Sequence, residues 1–77
     1  MPKPTTEPKL TTRTREYICE ATLGAIQSAV EGANYCAEKV SRAKPKEGLN
    51  LLDEIVAECE AAIGLARLAK KQMAELA

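Results

Sequence analysis

The side chains able to do chemistry in this chain are three cysteines, Cys19, Cys36 and Cys59, and two pairs of carboxylates one helical turn apart. The pairs are Glu16 with Glu20 and Glu54 with Glu58. Neither set makes a recognisable centre. A structural zinc site needs closely spaced Cys or His ligands, and a helical di-iron site needs Glu-x-x-His. The 77 residues contain no histidine and no Cys-x-x-Cys pair. Acid–base catalysis lacks its commonest agent for the same reason, and no nucleophile stands beside a base. Gly24, Gly32, Gly48 and Gly64 are isolated and form no phosphate-cradling loop. The sequence therefore reads as a non-enzyme with no metal and no cofactor.

The cysteines read as free thiols. They are odd in number, no secretory leader is recognisable, and a free cysteine packs as a small hydrophobe. A cytoplasmic location is the matching expectation. If the chain folds back at Pro45, Cys36 and Cys59 come within roughly one helical turn of each other. A bridge between them is then open, with Cys19 left over.

Positioning these residues falls to two long helices. Cys19, Leu23, Ile26, Val30, Ala33, Ala37 and Val40 follow one another at spacings of four and three. Leu52, Ile55, Cys59, Ala62, Ala66, Ala69, Met73 and Leu76 do the same. An apolar repeat of about 3.5 residues marks a helix that packs along its length against another helix. Residues 1–11 hold three of the four prolines and read as a flexible tail. Thr11, Thr12 and Thr14 offer N-caps for a first helix over about residues 12–43. Pro45 and Gly48 mark a loop over 44–49. A second helix over about 50–76 takes Asn50 as its cap, with Asp53 in the capping-box position. The alternative start is Pro45 itself as the first helical residue. The predicted fold is all-α, an antiparallel two-helix hairpin.

The flanks of the two seams differ. The first helix carries small residues beside its seam, namely Thr22, Ala25, Ala29, Gly32 and Cys36. The second is apolar on both flanks, with Leu49, Val56 and Ile63 on one side and Leu51, Leu65 and Leu68 on the other. A core rich in alanine and free of Phe and Trp contributes little at about 25 cal/mol per Å². One neighbouring helix cannot cover so broad an apolar surface, and contiguous exposed apolar surface marks an interface. The expected solution is a homodimer of hairpins forming a four-helix bundle, with Leu52, Ile55, Val56, Ile63, Leu65 and Leu68 at interfaces. Burial against a different protein is the second choice.

Eleven basic and eleven acidic side chains balance. From Glu16 to Glu38 the first helix carries acids and no base, with Lys39, Arg42 and Lys44 at its end, and the second sets Asp53, Glu54, Glu58 and Glu60 before Arg67, Lys70 and Lys71, an order the helix dipole favours. Arg13, Arg15, Tyr17, Tyr35, Arg42 and Lys44 are the candidates for contact with an outside partner, and both tyrosines fall off the seam, where they should be partly exposed. The basic tail (Lys3, Lys9, Arg13, Arg15) and loop (Lys44, Lys46) permit an RNA- or DNA-binding hairpin dimer as an alternative. Balanced charge and isolated aromatics weigh against it. A structural subunit of a larger assembly is the third reading. No apolar run approaches the roughly 18 residues of a membrane span. The leading expectation is a small protein–protein interaction module acting as a regulator, adaptor or inhibitor.

Overall fold

The computed structural model describes residues 11–77, so the expected tail, apart from Thr11, lies outside the described residues. Two helices, α1 (Thr12–Val40) and α2 (Pro45–Leu76), pack against each other as an antiparallel hairpin. At 1.5 Å per residue they are about 44 and 48 Å long. No strand occurs among the described residues.

Local chemistry explains where each helix begins and ends. Thr11 has an extended backbone, and its Oγ1 accepts a hydrogen bond from the Thr14 N–H at 3.1 Å. This satisfies one of the donors that a helix start leaves open. At the other end, the Ser41 hydroxyl donates to the Glu38 carbonyl at 2.9 Å. The amides of Arg42 and Ala43 turn back onto the carbonyls of Lys39 and Val40, each at 3.1 Å. These tight turns stop α1 three residues before the expected end. Lys44 is extended, as the residue before a proline must be.

α2 then starts at Pro45, five residues earlier than the Asn50 start. Proline wins here because its φ is already helical and its missing N–H is one the first turn could not have used. The first intrahelical bond follows at once, from the Gly48 N–H to the Lys44 carbonyl at 2.8 Å. Glu47 lies in the first turn, where the helix dipole favours an acid. The connection is thus Ser41–Lys44 rather than 44–49. It is made without any residue of positive φ among those described.

The face by which the helices meet is rotated from the predicted seam. In α1 the buried side chains are Cys19, Thr22, Ala29 and Cys36, with Ile26, Ala33 and Val40 half-buried between them. In α2 the inward face runs through Gly48, Leu51, Ile55, Glu58, Ala62, Leu65, Ala69 and Gln72 to Leu76. The spacing of three and four is kept, but every second position moves back by one. Thr22, Ala29 and Cys36 replace Leu23, Val30 and Ala37. Leu51, Glu58, Leu65 and Gln72 replace Leu52, Cys59, Ala66 and Met73. Of the residues read as a small flank of α1, Thr22, Ala29, Gly32 and Cys36 form its contact face, while Ala25 is exposed. Small side chains let the two backbones approach, and larger ones such as Leu23, Val30 and Val56 are turned outward. As a result, no large side chain of the hairpin is completely buried.

The glycines inside the helices differ in their surroundings. A Cβ at Gly24 or Gly64 would meet nothing within 4 Å, so close helix approach requires neither. At Gly32 a Cβ would stand 3.0 Å from Glu58 Oε2, the far end of a flexible side chain.

Candidate interaction surface

The rotated seam leaves an outer apolar stripe on each helix. On α1, Leu23, Val30 and Ala37 each follow a buried residue (Thr22, Ala29, Cys36) by one place and are exposed. On α2, Leu52, Cys59, Ala66 and Met73 follow Leu51, Glu58, Leu65 and Gln72 by one place and are likewise exposed. One place along a helix is a rotation of about 100°. The two stripes are turned from their seams in the same sense about each helix's own N-to-C axis. In antiparallel helices with facing seams, equal rotations carry both stripes to the same broad side of the hairpin. Leu49, Val56 and Ile63 widen the stripe on α2.

The result is one face without a charged side chain between Leu23 and Ala37 on α1 and between Leu49 and Ala66 on α2. Its large members are far from covered: Val30 is 54% exposed, Val56 55% and Ile63 53%. Soluble monomers seldom show contiguous apolar area on this scale.

Of the six residues expected at interfaces, Leu52, Val56 and Ile63 lie on this face. Ile55 and Leu65 point towards α1 and are half-buried within the hairpin. Leu68 is exposed on the opposite broad side, where it lines a small cleft with Arg15, Ile18, Lys71, Gln72 and Glu75. The residues missed as outer-face members are Leu23, Val30 and Met73, which had been assigned to the seams. Hydrophobicity did not mark the true phase: Glu58 and Gln72, both polar, sit on the inner face of α2, where the apolar pattern favours their neighbours Cys59 and Met73.

The candidates for outside contact do not form one site. Tyr17 and Tyr35 are exposed, as expected, and each holds a cation over its ring. Arg13 lies 5.8 Å from the centroid of Tyr17, and Lys39 lies 4.5 Å from that of Tyr35. Tyr35 and Arg42 line an open cleft beside the turn with Lys39 and Glu47. Arg13 and Tyr17 sit at the other end of α1, with Glu16 and Glu20. The Tyr35 hydroxyl beside Lys39 raises its ammonium pKa above the usual lysine value.

The cysteines are free and separate into two kinds. Cys36 is buried, and its thiol donates to Glu54 Oε2 at 3.2 Å across the helix pair. That hydrogen bond, then burial, pushes the thiol pKa up. Cys59 is exposed, in the middle of the apolar face. Among the described residues no three His, Cys, Asp or Glu side chains converge as metal ligands. No described helix is long and apolar enough to cross a membrane. Comparison with known protein families, curated proteins and solved structures returns no match. Function therefore has to be argued from this surface.

Proposed function

We propose that this chain is a non-enzymatic helical interaction module that works as a homodimer, with two hairpins closing face to face into a four-helix bundle. The observation that carries this reading is the single apolar face shared by Leu23 and Val30 of α1 and Leu52, Val56 and Ile63 of α2. The fully buried side chains of the hairpin's own seam are small, and its larger members such as Ile26, Leu51, Ile55 and Leu65 are only half-buried, so the seam supplies little hydrophobic stabilisation. Burial of the outer face would add what the hairpin lacks. The uncharged part of the face, from Leu23 to Ala37 and from Leu49 to Ala66, is about 25 Å by 20 Å, or roughly 500 Å². Contact continued over the polar ends of both helices would bring it to about 800 Å² per partner, as a stable interface uses. The bundle would leave the turn-end cleft of Tyr35, Lys39 and Arg42 free, on the opposite side, to meet a further macromolecule as a regulator, adaptor or inhibitor does.

Light scattering on the size-exclusion peak tests this reading. The expected mass is close to twice the 8.3 kDa of one chain. A well-folded species of single-chain mass that persists at high concentration would overturn it.

A further inference from the structure

We infer that the outer face also takes a basic amphipathic helix from another protein, one whose apolar stripe is flanked on both sides by Lys or Arg, and that this helix displaces the second copy. The inference rests on the reading of the face as an interface and names the chemistry of the partner that opens the dimer. Both occupants need the same apolar residues, so each excludes the other.

The residue after each stripe member lies a further 100° round its helix, on the outer edge of the hairpin. In the half of the face nearer the turn these edge residues are acids. Glu31 follows Val30 and Glu38 follows Ala37 on α1; Asp53 follows Leu52 and Glu60 follows Cys59 on α2, and all four acids are exposed. Away from the turn, Gly24 follows Leu23 and Arg67 follows Ala66, so the acid edges belong to the turn half. Heights along the hairpin follow from its internal contacts, Cys36 with Glu54 and Gly32 with Glu58. By that count Glu31 stands across the face from Glu60, and Glu38 from Asp53. Each pair is roughly 20 Å apart, and the step from one pair to the next is about 10 Å, seven residues of helix. Glu31, Asp53 and Glu60 have no Lys or Arg three or four places away on their own helix; Glu38 has Arg42.

A helix laid along the groove between the two stripes buries its apolar side on Val30, Val56 and Ile63. Such a helix is about 10–12 Å wide, which leaves roughly 4–5 Å on either side before the acid edges. The arms of Lys or Arg cover that gap while their stems rest on the apolar margin. Bases one heptad apart on each flank match the seven-residue step from Glu31 to Glu38 and from Asp53 to Glu60. A second copy covers the same apolar residues but brings acid edges of its own, so the basic helix has the better charge match. Nucleic acid or an anionic lipid surface would set phosphates against these edges, and the charge rules against both.

The probe is a synthetic helical peptide of about 18 residues, roughly 27 Å long, with a leucine stripe and lysines on both flanks. One control peptide carries Glu on the flanks, and another has the same composition in scrambled order. Light scattering reads the mass of the complex, and fluorescence anisotropy of the labelled peptide reads its affinity. The basic peptide should convert the dimer into one hairpin with one peptide, bind at least about tenfold more tightly than either control, and weaken as salt is raised. Glu31→Gln combined with Glu60→Gln should weaken its binding roughly 3- to 30-fold. Glu75→Gln, exposed on the opposite broad side, should leave it unchanged. Equal binding of the Glu-flanked peptide, an unaffected double variant, or binding that leaves the dimer intact would overturn the inference. If the chain without peptide is already a single-chain species, the dimer reading fails and the affinities still decide this one. A dimer to which the basic peptide does not bind removes only this inference.

Discussion

Replacing Ile63 by lysine asks whether the outer face is an interface or merely tolerated surface. Ile63 lies near the middle of the face and is 53% exposed in the hairpin. Complete burial of an isoleucine is worth about 1.5–3 kcal/mol, so the half still open amounts to about 1–1.5 kcal/mol per copy. Two-fold symmetry doubles this to roughly 2–3 kcal/mol per dimer. At about 1.4 kcal/mol per factor of ten, the dissociation constant should rise by roughly 30- to 150-fold. The cost of desolvating or redirecting the new ammonium group adds to that. The lone hairpin should be little affected, because lysine is at least as good a helix former as isoleucine and the site is half open to water. Sedimentation equilibrium across a concentration series measures the effect, with circular dichroism reporting helix content. Ser28→Lys, exposed and away from the apolar face, serves as the control. An unchanged dissociation constant for Ile63→Lys would refute the reasoning. So would a loss of helicity in the dilute monomer, since Ile63 would then be serving the hairpin rather than the dimer.

Other substitutions separate the inner seam, the caps and the thiols. Leu65→Ala, on the face towards α1, should destabilise the hairpin by about 2 kcal/mol, seen as a lower melting temperature even in dilute solution; an effect seen only on the dimer would place Leu65 elsewhere. Thr11→Ala removes the acceptor for the Thr14 amide and should cost about 1 kcal/mol of stability in a denaturant titration. Gly32→Ala asks only that the Glu58 carboxylate swing aside, and it should raise stability by up to about 1 kcal/mol; a lower melting temperature would show that Glu58 is held in place. Cys36, buried and with its pKa raised by Glu54, should react with iodoacetamide more slowly than Cys59 at about pH 8, and Glu54→Gln should narrow the gap. The folded pKa is the higher one, so the contribution of this hydrogen bond to stability is present at neutral pH. It is lost as pH rises through and beyond the ordinary thiol range. Cys59 should in addition become protected as the protein is concentrated.

Much of the architecture is readable without coordinates, because its causes are local. The Thr11 cap, the break before Pro45 and the alternation of acids and bases along each helix depend only on near neighbours in the chain. The outward position of Tyr17 and Tyr35 follows from helical periodicity alone. The start of α2 was a close competition between two legitimate signals. Pro45 prevailed over Asn50 because the helical turn can form as soon as a proline has set its first φ.

The phase of the seams was not readable in this way. In α2, apolar residues occupy adjacent helical positions such as Leu51 and Leu52, Ile55 and Val56, so hydrophobicity alone does not say which of them faces α1. The same is true of Cys36 and Ala37 in α1. The repeat itself, its length and its helical period belong to the sequence, as does the absence of histidine and of any catalytic or metal-binding motif. The tertiary structure decided which stripe closes the hairpin and which stays open. Two long helices can come together closely only where the side chains between them are small, and Thr22, Ala29, Cys36 and Ala69 are buried there. That steric requirement, which exists only once both helices are present, turns Val30, Val56 and Ile63 outward and creates the face on which the proposed function rests.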